Sequence, residues 1–158
     1  MISKARISVA AVALVAMSGV GFAASHSQGE FAREIKARQA QMTLNAFNLG
    51  ILGAMAKGEM EYDAEAAGLA ASNLAASSSI WMPTAWPEGS DNASTEGTRA
   101  LPAIWAGDSD IGAKAQALSE AVAALQTAAG TDLEALRGAI GPVGAACGGC
   151  HKAYRAEE

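Results

Sequence analysis

The sequence predicts an all-α fold, an antiparallel up-down four-helix bundle. Three observations predict it. Apolar residues recur at intervals of three, four and seven along four separate stretches. No stretch shows the strict alternation of a half-buried strand. Two of the connections, over 58–63 and at 130–131, are as short as those between antiparallel neighbours in a bundle.

The first helix is read from Glu30. Its seam is Phe31, Ile35, Arg38, Met42, Leu49, Leu52, Ala56 and Met60, and it stops near Gly58. Gly50 and Gly53 cost helix stability, so a close helix contact is expected there. Asp63 caps the second helix, with Glu65 in its first turn and a thin face of Ala67, Ala70, Ala71 and Leu74. So small a face implies either a close neighbour or a large non-protein group in the core. A long connection follows over 82–101. Pro83, Pro87, Gly89, Gly97 and Pro102 exclude a continuous helix there, and Trp81 and Trp86 are expected to pack it down.

The third helix is placed from Pro102 to Gly130, with Ile104, Ile111, Ala115, Leu118, Val122 and Leu125 as its seam. Thr131 and Glu134 read as a capping box that opens the fourth. Its seam is Leu133, Leu136, Ile140, Val143, Cys147, Cys150 and Tyr154, with a kink expected at Pro142.

The 158 residues suit one domain, placed at 24–158. Residues 1–23 read as a cleaved secretory signal. Lys4 and Arg6 form a basic start, an apolar run over 7–20 is too short to span a bilayer, and Gly21, Phe22 and Ala23 suit signal peptidase. Export of this kind implies a periplasmic protein with no stable membrane insertion after cleavage. Losing Lys4 and Arg6 from 11 basic residues leaves 9 against 16 acidic, a net charge of about −7. Such a surface argues against nucleic acid and anionic membranes as partners.

Two cysteines in an exported chain need a chemical explanation. They stand in Cys147-Gly148-Gly149-Cys150-His151, the C-x-x-C-H pattern of c-type haem attachment. Thiols three apart on a helix share a face, so both can reach the vinyl groups at one porphyrin edge. The adjoining histidine can then reach the iron. Both cysteines fall on the buried seam, which puts haem c in the core of the bundle. Gly148 and Gly149 avoid side-chain clash with it. A thioredoxin-type disulfide belongs at a helix start in a βαβ unit, and zinc wants four ligands, whereas His26 is remote in sequence. His26 receives no role.

The chain resembles the class II c-type cytochromes, the cytochrome c′ family. The resemblance rests on C-G-G-C-H-K-A-Y-R at 147–155, A-R-Q-A-Q-M at 37–42, W-P-E-G-S at 86–90 and T-R-A-L-P-A-I-W at 98–105. Cytochrome c′ is itself a standard example of the up-down bundle, so that architecture also comes with the resemblance. The resemblance implies Cys147 and Cys150 as thioether residues and His151 as the proximal iron ligand. It implies Arg38 and Gln39 at the haem propionates and edge, Thr98 and Arg99 in a second haem-edge segment, and Arg155 beside the proximal face.

Met42 lies one turn after Arg38 and is implied over the distal side of the haem. In some members an apolar residue there stands near an open iron site that binds small gases. In low-spin siblings, which L-G-A-M-A-K-G-E at 52–59 resembles, a methionine in this region ligates the iron. Read as ordinary structure, Met42 is a core gap-filler.

Two functions therefore stand side by side: a one-electron carrier that meets redox partner proteins, and a binder of nitric oxide or carbon monoxide. A haem-free thiol oxidoreductase is a third. No catalytic constellation stands out, so no enzyme is expected. Asp108 and Asp110, two apart, read as a solvated turn or helix start. The resemblance also allows a homodimer through the first two helices.

Overall fold

A computed structural model of the chain describes residues 29–80 and 82–157. The signal read at 1–23, His26 and Trp81 lie outside the described residues. Among the described residues the fold is all-α, with four helices: α1 (Ala32–Lys57), α2 (Ala64–Ser79), α3 (Ile111–Ala128) and α4 (Leu133–Tyr154). Consecutive helices pack on one another and α4 packs back on α1, which closes the four-helix bundle. Two short 3₁₀ turns, Pro83–Ala85 and Pro102–Trp105, punctuate the long connection.

Local chemistry sets most of the ends. Gly58 closes α1 at φ 79°, a left-handed conformation open to glycine. Its N–H and that of Glu59 reach back to the Met55 and Ala54 carbonyls. The Asp63 carboxylate caps α2 by accepting the Ala66 N–H at 2.7 Å, an interaction worth about 1 kcal/mol.

Several boundaries differ from the sequence reading. Phe31 and Met60 lie outside α1, and Met42 and Met60 are exposed rather than in its seam. The buried residues of α1 are Ile35, Arg38, Asn48, Leu52 and Met55. α3 begins at Ile111, not Pro102. Proline starts a 3₁₀ turn as readily as an α-helix, and here Leu101 N–H is spent on Tyr154 O at 3.0 Å and Trp105 Nε1 on Trp86 O at 3.1 Å. Ile104 is thereby outside α3, and Ala115 faces outward.

The cap of α4 is Asp132, whose carboxylate accepts the Ala135 N–H at 2.8 Å; Thr131 stands one residue too early to do so. α4 continues through Pro142. Gly50 and Gly53 make no close contact, since a Cβ on either would meet nothing within 4 Å. The close approach is at Gly130, where a Cβ would lie 3.3 Å from Ala64 O and 3.4 Å from Gly68 Cα.

The packed core consists of Leu52 and Met55 of α1, Ala67, Ala70, Ala71 and Leu74 of α2, Val122, Leu125 and the adjoining Ala129 at the end of α3, and Leu136 and Val143 of α4. All but Leu74 lie in the half of their helix nearest the two tight turns. The alanine face of α2 lets its neighbours approach closely there.

Candidate functional site

The opposite end of the bundle holds the cysteines. Cys147, Cys150 and His151 lie in the last two turns of α4, half-buried, and both cysteines are free thiols. The α3 residues beside this end, Ile111, Lys114 and Leu118, are also only half-buried, and Cys147 packs against the edge of the core. Met42 of α1 is 41% exposed to its own chain, so it has no core-filling role.

Burial pushes the Cys147 and Cys150 thiols up from their ordinary pKa, with a smaller opposing pull on Cys150 from Lys114. A thiol oxidoreductase needs the reverse, a thiolate favoured near neutral pH. Burial, then Arg155 and Arg99, pushes the His151 imidazole down, which favours the neutral form whose lone pair can bind a metal.

The end of α4 is laced to the long connection. Ala100 pairs with Arg155 in an isolated antiparallel bridge, and Ala156 N–H donates to Arg99 O at 2.8 Å. Tyr154, next to this bridge in sequence, is buried. Its hydroxyl donates to Asp110 Oδ1 at 2.5 Å and accepts the Asp110 N–H at 2.8 Å. Asp110 also pairs with Lys114 at 3.3 Å. Asp110 is thus the helix-start residue that the sequence suggests, though its carboxylate serves α4 and Lys114 rather than the α3 amides.

Arg38 and Gln39 meet the same connection from α1. Arg38 is 3% exposed. Its Nη1 donates to Ser90 Oγ at 2.7 Å and Ala85 O at 3.4 Å, and its Nη2 to Ser90 O at 2.6 Å and Thr98 Oγ1 at 2.7 Å. The guanidinium stacks 4.6 Å over the Trp86 ring. Gln39 Nε2 donates to Gly97 O at 2.8 Å.

Of the residues singled out from sequence, the structure brings Arg38, Gln39 and Thr98 into one cluster, and Arg99 and Arg155 beside His151. Met42, one turn past Arg38 on α1, is exposed. The four terminal Arg38 bonds go to the connection, where the resemblance implied a propionate. Sequence reasoning missed Ser90, Asp91 and the Asp110–Tyr154 pair. Ser90 had a signal as the last residue of W-P-E-G-S, and Tyr154 as part of C-G-G-C-H-K-A-Y-R, but nothing in the sequence paired Tyr154 with Asp110.

The residues fit a haem on their donor chemistry. Two protonated thiols three apart, a neutral imidazole next to them, and two glycines whose Cβ positions would meet nothing within 4 Å suit a bulky flat group fixed at the helix. A family model described as Cytochrome C′ matches residues 33–155. The chain belongs to the cytochrome c′ family.

A cytochrome c-554 from Cereibacter sphaeroides is 50% identical over 126 residues, which cover 80% of this chain and 82% of that one. A solved cytochrome c′ from Rhodobacter Spheriodes aligns with a TM-score of 0.79 at 38% identity, over 82% of this chain and 99% of that one. A nitric oxide complex of a mutant cytochrome c prime from Alcaligenes xylosoxidans aligns at 0.71 and 33% identity, over 82% and 98%. Membership of the cytochrome c′ family brings with it a covalent haem c. Among the described residues, no helix is long and apolar enough to cross a membrane.

Proposed function

We propose that this chain is an exported, periplasmic one-electron carrier with no catalytic activity of its own. Cys147 and Cys150 would hold the haem through their sulfurs, and the His151 imidazole would bind its iron. When bound, the haem supplies a one-electron iron couple. The chain's own contribution is to keep His151 neutral and oriented, and to hold Arg99 and Arg155 as fixed positive charges on the proximal side. Tyr154 fixes the helix end from which His151 projects.

The observation that carries the reading is Met42. Its thioether is left out of the protein core, on the helix packed against α4 and one turn past Arg38. A thioether there would supply a second ligand to the iron, and His/Met ligation suits an electron carrier. The reduced absorption spectrum tests this. The carrier reading expects sharp low-spin bands that carbon monoxide leaves unchanged. A broad high-spin spectrum that moves on adding the gas overturns it.

That second outcome supports the alternative, a distal site that binds nitric oxide or carbon monoxide. The observation favouring it is the nitric oxide complex of the Alcaligenes xylosoxidans relative. A homodimer belongs to either reading. Leu44 and Phe47 on α1, Leu69 on α2 and Ile80 just past its end are large apolar side chains at least half exposed, which supports a partner copy against these helices.

A further inference from the structure

Arg38 is an unusual residue to bury. Its acceptors, Ala85 O, Ser90 O, Ser90 Oγ and Thr98 Oγ1, are all neutral oxygens, and all belong to the connection between α2 and α3. Its planar fork holds two points of that connection, Ser90 and Thr98, eight positions apart in sequence. Thr98 passes the constraint on. The same Oγ1 that accepts Arg38 Nη2 accepts the Ala100 N–H at 3.1 Å, so one hydroxyl fixes the backbone on either side of Arg99. Beyond Arg99, the Ala100 carbonyl accepts Asn92 N–H at 2.8 Å, and Leu101 N–H donates to Tyr154 O at 3.0 Å. Arg99 is held between these anchors, and its own carbonyl accepts the Ala156 N–H at 2.8 Å, which ties it to the end of α4 just past His151.

We propose that Arg38 is a positioning residue for the iron site, acting on His151 indirectly through Thr98 and Arg99. A fixed cation beside the proximal imidazole disfavours further positive charge and so favours the reduced iron. Loosening the Arg38–Thr98 contact lets Arg99 move away, and the reduction potential falls. This rests on the haem-site reading above, and the two can fail separately.

The test is a double-mutant cycle on the haem-loaded protein, read by spectroelectrochemical titration. Arg38→Lys keeps the charge but loses the two-pronged grip, and Thr98→Val removes one hydroxyl with little change in shape. Each is expected to lower the reduced-to-oxidised ratio at fixed potential by up to tenfold, which is about 59 mV for a one-electron couple. Arg99→Gln is expected to cause a fall at least as large.

The deciding result is the combination. In the Arg99→Gln background, Arg38→Lys and Thr98→Val are expected to add almost nothing. Full additivity overturns the proposal and assigns Arg38 a direct effect on the haem. Unchanged potentials in both single variants overturn it as well. If Arg38→Lys does not fold, Thr98→Val alone completes the cycle. Lys36→Gln, which removes an exposed charge two residues from Arg38, is expected to leave the potential unmoved. A colourless wild-type protein with both thiols free sinks the site reading itself, whereas a coloured protein with additive shifts sinks only this inference.

Discussion

Tyr154 and Asp110 exchange two hydrogen bonds across the haem end of the bundle, the hydroxyl donating to the carboxylate and accepting from the same residue's amide. The pair ties the residue just before α3 to the last turn of α4, three residues past His151. It replaces the side-chain cap that α3 lacks.

The Tyr154 bond, ahead of the Lys114 contact, holds the Asp110 carboxyl below its ordinary pKa of 3.8, despite an opposing effect of burial. A carboxyl depressed by folding contributes stability above its unfolded pKa and loses it as pH falls through the folded value. Tyr154→Phe is therefore expected to lower the melting temperature by a few degrees at neutral pH. The difference from wild type should shrink as the pH falls below 3.8. Thermal melts of the haem-loaded protein at several pH values check this, and a gap that stays constant into acid would refute it.

The two halves of the bundle should respond differently to mutation. Leu125 and Leu136 are fully buried in the half nearest the tight turns, away from His151. Leu136→Ala is expected to cost about 2–5 kcal/mol in denaturant unfolding while leaving the absorption spectrum unchanged. A spectral change of ligation type from this variant would mean that the halves are not separate.

These same residues show what was legible in the sequence. The core seam of α4 and the alanine face of α2 could be read because helical periodicity reports burial directly. Asp63 could be read because a cap acts within four residues. The start of α3 could not, since Pro102 suits a 3₁₀ turn as well as a helix, and the bonds that hold the turn come from Tyr154 and Trp86. The cap of α4 slipped by one residue because Thr131 and Asp132 each carry a side-chain oxygen able to accept a cap bond. Cys147, Cys150 and His151 fall within five consecutive residues and carry their own pattern. Arg38 is the opposite case: Ser90 and Thr98 lie 52 and 60 positions away, and no local pattern links them to it.

The long connection should depend on acid in its own way. Burial raises the Asp91 carboxyl, but the Ala93 and Ser94 amides that it accepts at 2.9 and 3.0 Å outweigh this and leave its pKa lowered. By the same sign argument, its contribution is present above the ordinary carboxylate range and lost as pH falls through the folded value. Asp91→Asn is expected to increase amide hydrogen exchange over 91–95 at neutral pH and to make little difference in acid. Equal exchange in both proteins at neutral pH would count against the turn as an anchor.

Attachment through two sulfurs predicts a simple mass result. The mature wild-type chain should carry the mass of one haem after denaturation and acid extraction. Cys147→Ala with Cys150→Ala should lose it, and either single variant should keep a haem on one remaining bond. Intact-protein mass spectrometry checks this. A haem that extracts freely from the wild type would remove the covalent role of both cysteines.

Met42→Leu separates the two readings of the iron site. If the Met42 sulfur is the second axial ligand, the substitution keeps the size of the side chain and removes the donor. The variant should turn from low-spin to high-spin, bind carbon monoxide, and fall in reduction potential, because the thioether favours the reduced iron. Folding should be almost unaffected, since Met42 contributes nothing to the packed core. If wild type and variant have the same spectrum and both take up carbon monoxide, Met42 is no ligand, and the gas-binding reading replaces the carrier.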